Sequence, residues 1–215
     1  MKYLLLISLL IFPSVAKADY FVWQDAKTGL SLSYPDTWKK QSTNGVHEIF
    51  QIEAPSDGDN PVCKVSASKD KRFVIFPPDY GDAVQRTAVS VPFWKSYMAL
   101  DYDDYVIDKV YDGGGFGRWH ASYATLAYNV REGTQMQSRR GIAFASLYYD
   151  NMYIVECSAL AQGYEKWEKD FRSIIKSIDF KKIYNERAIG EYADFLSGSE
   201  MYFWAQTGPE GTTEY

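Results

Sequence analysis

Residues 139–180 read RRGIAFASLYYDNMYIVECSALAQGYEKWEKDFRSIIKSIDF, and this run decides the fold. Arg139–Tyr149 and Met152–Leu160 are two strand-length stretches joined only by Asp150-Asn151. Both joining residues tolerate left-handed backbone, so the pair predicts a tight hairpin. Directly after it, Tyr164, Trp167, Phe171, Ile174 and Ile178 are spaced 3, 4, 3 and 4. That spacing lines one face of a helix. Glu165 with Lys169, and Glu168 with Arg172, add i,i+4 pairs in the favourable order. An aromatic stripe of this kind needs a sheet to lie on, and Ile178-Asp179-Phe180 reads as a last short strand. A hairpin followed by its covering helix points to an α+β fold.

Working toward the N-terminus, Tyr105–Tyr111 and Arg118–Tyr128 pattern as strands, with a break at Gly113-Gly114-Gly115. Asp79–Ala88 and Phe93–Leu100 are short helix candidates separated by Pro92. Val46–Glu53 and Val62–Ser68 read as strands on either side of a Pro/Gly/Asp loop. Tyr20–Gln24 and Leu30–Tyr34 form a further hairpin, with Gly29 placed where the loop needs positive φ.

Three features together resemble a known family. Gly29-Leu30-Ser31-Leu32-Ser33-Tyr34-Pro35-Asp36-Thr37-Trp38-Lys39 resembles the strand and Tyr-Pro-x-x-Trp opening of PsbP-like domains. The Arg139–Leu160 hairpin, and the helix closing on Ile-x-Ser-Ile-Asp-Phe at 175–180, resemble the end of those domains. The resemblance covers about residues 20–180. It implies an α/β/α sandwich around an antiparallel sheet, shared with Mog-type and DcrB-like proteins. It also implies an accessory, assembly or adaptor role without a reaction, and by analogy weak divalent binding near Asp101–Asp104. Tyr-Pro followed by Trp also has a structural explanation: Pro stops the strand and Trp folds back into the core.

The first eighteen residues read as an export signal. Lys2 precedes an apolar run from Leu4 to Phe12, then Pro13-Ser14 and a small-x-small site at Ala16-Lys17-Ala18. The run falls short of the roughly 20 residues a membrane span requires. The expected mature chain therefore starts at Asp19, periplasmic or secreted, with no membrane anchor. Losing Lys2 and Lys17 takes the formal charge from −5 to −7, which argues against a nucleic-acid partner. Cys63 and Cys157 each share a strand face with apolar neighbours. In an exported chain a disulfide between them is the leading reading, and two buried unpaired thiols the alternative.

The candidate sites are few. His47 and His120 are the two histidines, both read as strand residues, and neither has zinc-ligand spacing or a G-x-S-x-G elbow nearby. Gly113–Gly117 is followed by strand patterning and not by a helix, so it reads as a hairpin loop and not a phosphate cradle. Asp101, Asp103, Asp104 and Asp108, and the smaller pair Asp57 and Asp59, read as solvated acidic loops. Residues 183–215 carry Arg187 against Glu186, Glu191, Asp194, Glu200, Glu210 and Glu214, or −5. Interleaved are Tyr192, Phe195, Tyr202, Phe203 and Trp204, which either dock on the chain's own domain or meet a partner.

The expectation is a signal peptide at 1–18, a PsbP-like α+β domain at 19–182 and an acidic aromatic segment at 183–215. The expected function is that of a non-catalytic exported accessory or adaptor protein binding another envelope protein, with self-association possible and no cofactor. A small-ligand or weak divalent-metal binder using the sheet's open face is the alternative. A hydrolase with dispersed catalytic residues comes last.

Overall fold

In the computed structural model, residues 19–55, 58–72, 81–182 and 202–203 are described. The leader, Asp57, Tyr192, Phe195 and Trp204 lie outside them.

The closing hairpin and helix organise the molecule. β8 (Gln135–Tyr148) and β9 (Asn151–Leu160) pair antiparallel in register from Arg139↔Leu160 to Tyr148↔Asn151. Around them grows an eight-stranded antiparallel sheet in the order β10-β6-β7-β8-β9-β5-β4-β3. Its other members are β3 (Lys39–Lys40), β4 (Glu48–Glu53), β5 (Val62–Lys69), β6 (Tyr105–Phe116), β7 (Trp119–Glu132) and β10 (Tyr202–Phe203). β1 (Tyr20–Gln24) and β2 (Ser31–Pro35) form a separate two-stranded ribbon. The helices are α1 (Gly81–Ala88), α2 (Val91–Asp101) and α3 (Tyr164–Lys176).

Strand alternation gives the sheet two buried faces. On one face, α3 and the ribbon cover Phe50, Val65, Phe144 and Val155. Tyr164, Trp167, Phe171, Ile174, Ile175 and Ile178 are all buried there, so the stripe read from the sequence lies against the sheet. Each such side chain contributes about 1.5–3 kcal/mol. Trp38 is the expected core plug, with its ring beside Trp167 and Phe171. The Ser177 hydroxyl accepts from the Ser33 amide at 2.8 Å and donates to the Ser33 carbonyl at 3.0 Å, tying the end of α3 to β2. Cys63 and Cys157 stand opposite each other on β5 and β9 and are joined as a disulfide.

On the other face, α1 and α2 pack Trp94 and Met98 over Val110, Leu126 and Ala143. Gln85 is wholly buried; it donates to the Ala145 carbonyl at 3.1 Å and accepts from the Leu147 amide at 2.6 Å, fastening α1 to β8.

Several local expectations are corrected. The glycine triplet is no loop: Gly114 and Gly115 pair with Ala121 and His120 inside the β6–β7 ladder. A bulge between Tyr111 and Gly114 absorbs the irregularity, and the turn falls at Gly117, whose φ is +60°. The β8–β9 turn is Tyr149-Asp150, one residue earlier than read, with Tyr149 in the left-handed region at φ +54°. Pro92 does not separate two helices but sits in the first turn of α2, where its missing N–H costs nothing. β7 and β8 run on to Glu132 and from Gln135, through a polar stretch the alternation did not flag. β4 starts at Glu48, which leaves His47 exposed in a turn and not in a strand. Residues 178–180 provide a single bridge, Ser31↔Asp179, in place of a strand.

Candidate functional site

Beyond the end of α2 the second face of the sheet is left open, and a cleft of about 460 Å³ lies there. Tyr102, at the C-terminus of α2, forms a wall with Tyr128 of β7; their rings are 4.1 Å apart. Glu53, Lys64, Arg139 and Ser158 line the rest, from β4, β5, β8 and β9. The alternation of β9 explains the last of these: Val155 and Cys157 face the disulfide core, so Glu156 and Ser158 face the cleft side.

Glu156 is 6% exposed and is the one charged residue of β9. Its two oxygens accept hydrogen bonds from Tyr97 and Tyr128, each at 2.7 Å. Burial first, and the Glu156 charge second, push both phenols well above the usual tyrosine range. Tyr102 is raised for the same two reasons. All three phenols keep their protons, and Tyr97 and Tyr128 donate theirs to the carboxylate.

Arg139 is 7% exposed. Its Nη2 donates to the Asn60 carbonyl at 2.8 Å, the Ser158 carbonyl at 3.2 Å and the Ser158 hydroxyl at 3.1 Å. Glu53 on the rim accepts from Gln41 and Gln51, both at 3.0 Å. The site is thus a set of fixed donors and acceptors around a tyrosine wall, suited to holding a ligand.

Sequence reading missed this cluster, because strand register and the packing of α2 bring it together from six elements. The one legible signal was Glu156 itself, a charge within Met152–Leu160 that a buried strand carries only with partners.

The residues weighed from sequence lie elsewhere. His120 is half-buried on β7, its ring 5.2 Å from Trp119. Ser122 beside it is buried; its hydroxyl accepts from the Trp94 indole at 2.8 Å and donates to Asp112 at 3.0 Å, so both of its roles are structural. Burial raises the Asp112 carboxyl above its usual range. Asp104 accepts from the Asn129 amide, and Asp108 sits 3.9 Å from Arg140. Among the described residues no three His, Cys, Asp or Glu converge on a metal position. Asp59 accepts from the Trp167 indole at 3.0 Å and from Lys166 at 3.3 Å; the indole bond holds its carboxyl below the usual carboxylate range. It therefore anchors the start of α3. A second depression of about 510 Å³, near the β8–β9 turn, is edged by Lys27, Lys69, Lys181 and Lys182, with Lys69 paired to Asp150. Tyr202 and Phe203 pair with Val110 and Lys109, which places that part of the tail on the chain's own sheet. No helix among the described residues is long and apolar enough to cross a membrane.

No protein-family model matches the chain, and no curated protein matches it either. Solved structures do. The solution structure of cyanobacterial PsbP (CyanoP) from Synechocystis sp. PCC 6803 is similar over 80% of this chain and 99% of its own, at 19% identity and a TM-score of 0.50. A Bacteroides thetaiotaomicron VPI-5482 crystal structure matches at 16% identity and a TM-score of 0.43, over 77% of this chain and 49% of its own. LpqN of Mycobacterium tuberculosis matches at 11% identity and a TM-score of 0.43, over 76% and 91%. The eight-stranded sheet with its helices is thus a PsbP-like α+β fold.

Proposed function

We propose that the chain is an exported, non-catalytic accessory protein that binds another envelope protein along β1. One observation carries this reading. Tyr20, Phe21 and Val22 are 52%, 55% and 75% exposed on a strand that pairs with β2 alone among the described residues. Three consecutive exposed apolar residues on a free strand edge are what soluble folds avoid unless another chain covers them. Strand addition supplies main-chain hydrogen bonds, and the alternating side chains supply selectivity. The PsbP-like fold is compatible with such a role. The disulfide suits an oxidising compartment. The tail aromatics Tyr192, Phe195 and Trp204 are proposed as a further contact on composition alone.

The test is a photo-crosslinking amino acid at position 21 in the native envelope, with position 46 as an exposed control. The expected result is an adduct to a different protein, identified by mass spectrometry, that disappears when Val22→Lys is added. Adducts only to a second copy, or equal labelling at both positions, would remove the proposal. A second reading, small-molecule binding on the open face, has its own support in the tyrosine-walled cleft.

A further inference from the structure

We propose that the cleft at the end of α2 binds a small molecule bearing one carboxylate, gripped by Arg139, with a flat apolar body against Tyr102 and Tyr128. This rests on the second reading, of the cleft as a ligand site, and is independent of the β1 interface.

Arg139 is the anchor of the cleft. A guanidinium has five N–H donors, and a buried one normally finds a carboxylate. Among the described residues no carboxylate pairs with it. The acceptors it has, two carbonyls and the Ser158 hydroxyl, all meet Nη2. Nε and Nη1 have no acceptor in the described protein, although the residue lines the cleft and is 7% exposed. A second cation, Lys64, lines the same cleft without an ion-pair partner among the described residues. A planar carboxylate matches a free guanidinium edge with two parallel bonds.

Charge decides how much anion the site accepts. Arg139 and Lys64 are balanced formally by Glu53, also on the lining, and by Glu156, which stands opposite Lys64 in register. Glu53 is held by Gln41 and Gln51, and Glu156 by Tyr97 and Tyr128, so neither satisfies Arg139. Two fixed carboxylates tolerate one added negative charge far better than the two of a phosphate. The third component is the aromatic wall. Tyr102 and Tyr128 lie against each other, their rings 4.1 Å apart at 30°, with Tyr128 buried and the half-buried Tyr102 presenting the more open apolar face beside the charged head site. A cleft of about 460 Å³ suits a small ligand.

The experiment uses the full chain from Asp19, isotope-labelled, with benzoate as the flat monocarboxylate and acetate and inorganic phosphate as comparisons. Benzoate is expected to give saturable amide shifts around Tyr128, Arg139 and Ser158, with Kd on the order of 1 mM. Arg139→Lys keeps the charge but removes the fork, and Lys64→Glu reverses a half-exposed charge; each should weaken binding by about tenfold. Val22→Lys, on the β1 interface, should leave benzoate binding unchanged. If Arg139→Lys does not fold, Lys64→Glu alone carries the test. The proposal fails if benzoate gives no saturable shifts in the unmodified protein, or if both cleft variants bind it as well as that protein does. Phosphate displacing benzoate at equal concentration would overturn the monocarboxylate assignment. Acetate binding as tightly as benzoate would overturn the role of the tyrosine wall.

Discussion

Trp38 and Trp167 meet edge to face, their ring centroids 6.0 Å apart and their planes at 85°. One follows β2 and the other sits near the start of α3, so this contact joins the Ser33–Ser177 hydrogen bonds and the Ser31–Asp179 bridge in holding the two ends of the domain together. Such aromatic pairs add about 0.5–1.5 kcal/mol beyond the area they bury. The Trp167 indole also donates to Asp59, which holds the loop between β4 and β5 against the start of the helix.

Trp167→Ala therefore removes a buried ring, an aromatic pair and a hydrogen bond, and should cost roughly 3–5 kcal/mol. Glu168→Ala, one residue on, loses only a half-exposed pair to Arg172 and should cost about 0.5 kcal/mol or less. Urea midpoints measured side by side check this. Equal midpoints would mean that α3 does not face the sheet.

The disulfide gives a second prediction. It links residues 94 apart in sequence, for which the chain-entropy model gives on the order of 4–5 kcal/mol. Protein from an oxidising compartment should show no alkylatable thiol until reduced, and the reduced form should unfold at markedly lower urea. Two reactive thiols in unreduced material would be the contrary result.

The course of the sheet was legible where alternation or a buried face left a mark. Arg139–Leu160 and the α3 stripe were readable because both periods are strong and local. The extension of β7 and β8 between Tyr128 and Arg139 was not, because a solvated ribbon carries no apolar alternation to read. The glycines misled for a related reason: a bulged strand and a loop use the same residue. The cleft was least legible. Tyr128, Arg139 and Glu156 are far apart in sequence and meet through the sheet register, and the packing of α2 then brings Tyr97 and Tyr102 to them. Glu156 alone announced that a buried charge had to be answered.

That answer can be measured. Tyr128→Phe keeps the ring but leaves one oxygen of buried Glu156 without its donor. Losing a hydrogen bond to a charged group costs about 1.5–3 kcal/mol. Tyr149→Phe, on an exposed turn residue, should be neutral within about 0.5 kcal/mol. Thermal melts of the two variants should separate clearly; coincident melts would show that Glu156 is not held through Tyr128.

The same tyrosines set an alkaline limit. Burial raises Tyr123 and Tyr164 to about 12, and Tyr97 and Tyr128 well above the ordinary value of 10. A group whose folded pKa is raised binds its proton more tightly when folded. Its stabilisation is therefore complete below the unfolded value near 10 and is lost as pH climbs toward the folded value. Stability should be flat through neutral pH and fall steeply from about pH 10 upward. Tyrosinate absorbance should rise in stages, with the buried set, Tyr97, Tyr123, Tyr128 and Tyr164, ionising only with unfolding. A single smooth titration centred near pH 10, with the fold intact, would contradict the burial of these phenols.

The last prediction concerns the tail. Tyr202–Phe203 pairs antiparallel with Lys109 and Val110 and so occupies part of the outer edge of β6, a strand of 12 residues. A chain ending at Lys182 keeps every described residue of both core clusters. It should therefore melt cooperatively. Two residue pairs at about 0.5–1.5 kcal/mol per hydrogen bond would lower the melting temperature by about 2–12 °C. Solubility should change more than stability. The cut opens the β6 edge and removes a segment of net charge −5, so both the edge cover and the self-repulsion are lost. Sedimentation velocity should show the shortened chain associating with rising concentration where the full chain does not. An unfolded product would make residues 183–215 part of the core. A shortened chain that stays monomeric would show that β10 does not guard the edge.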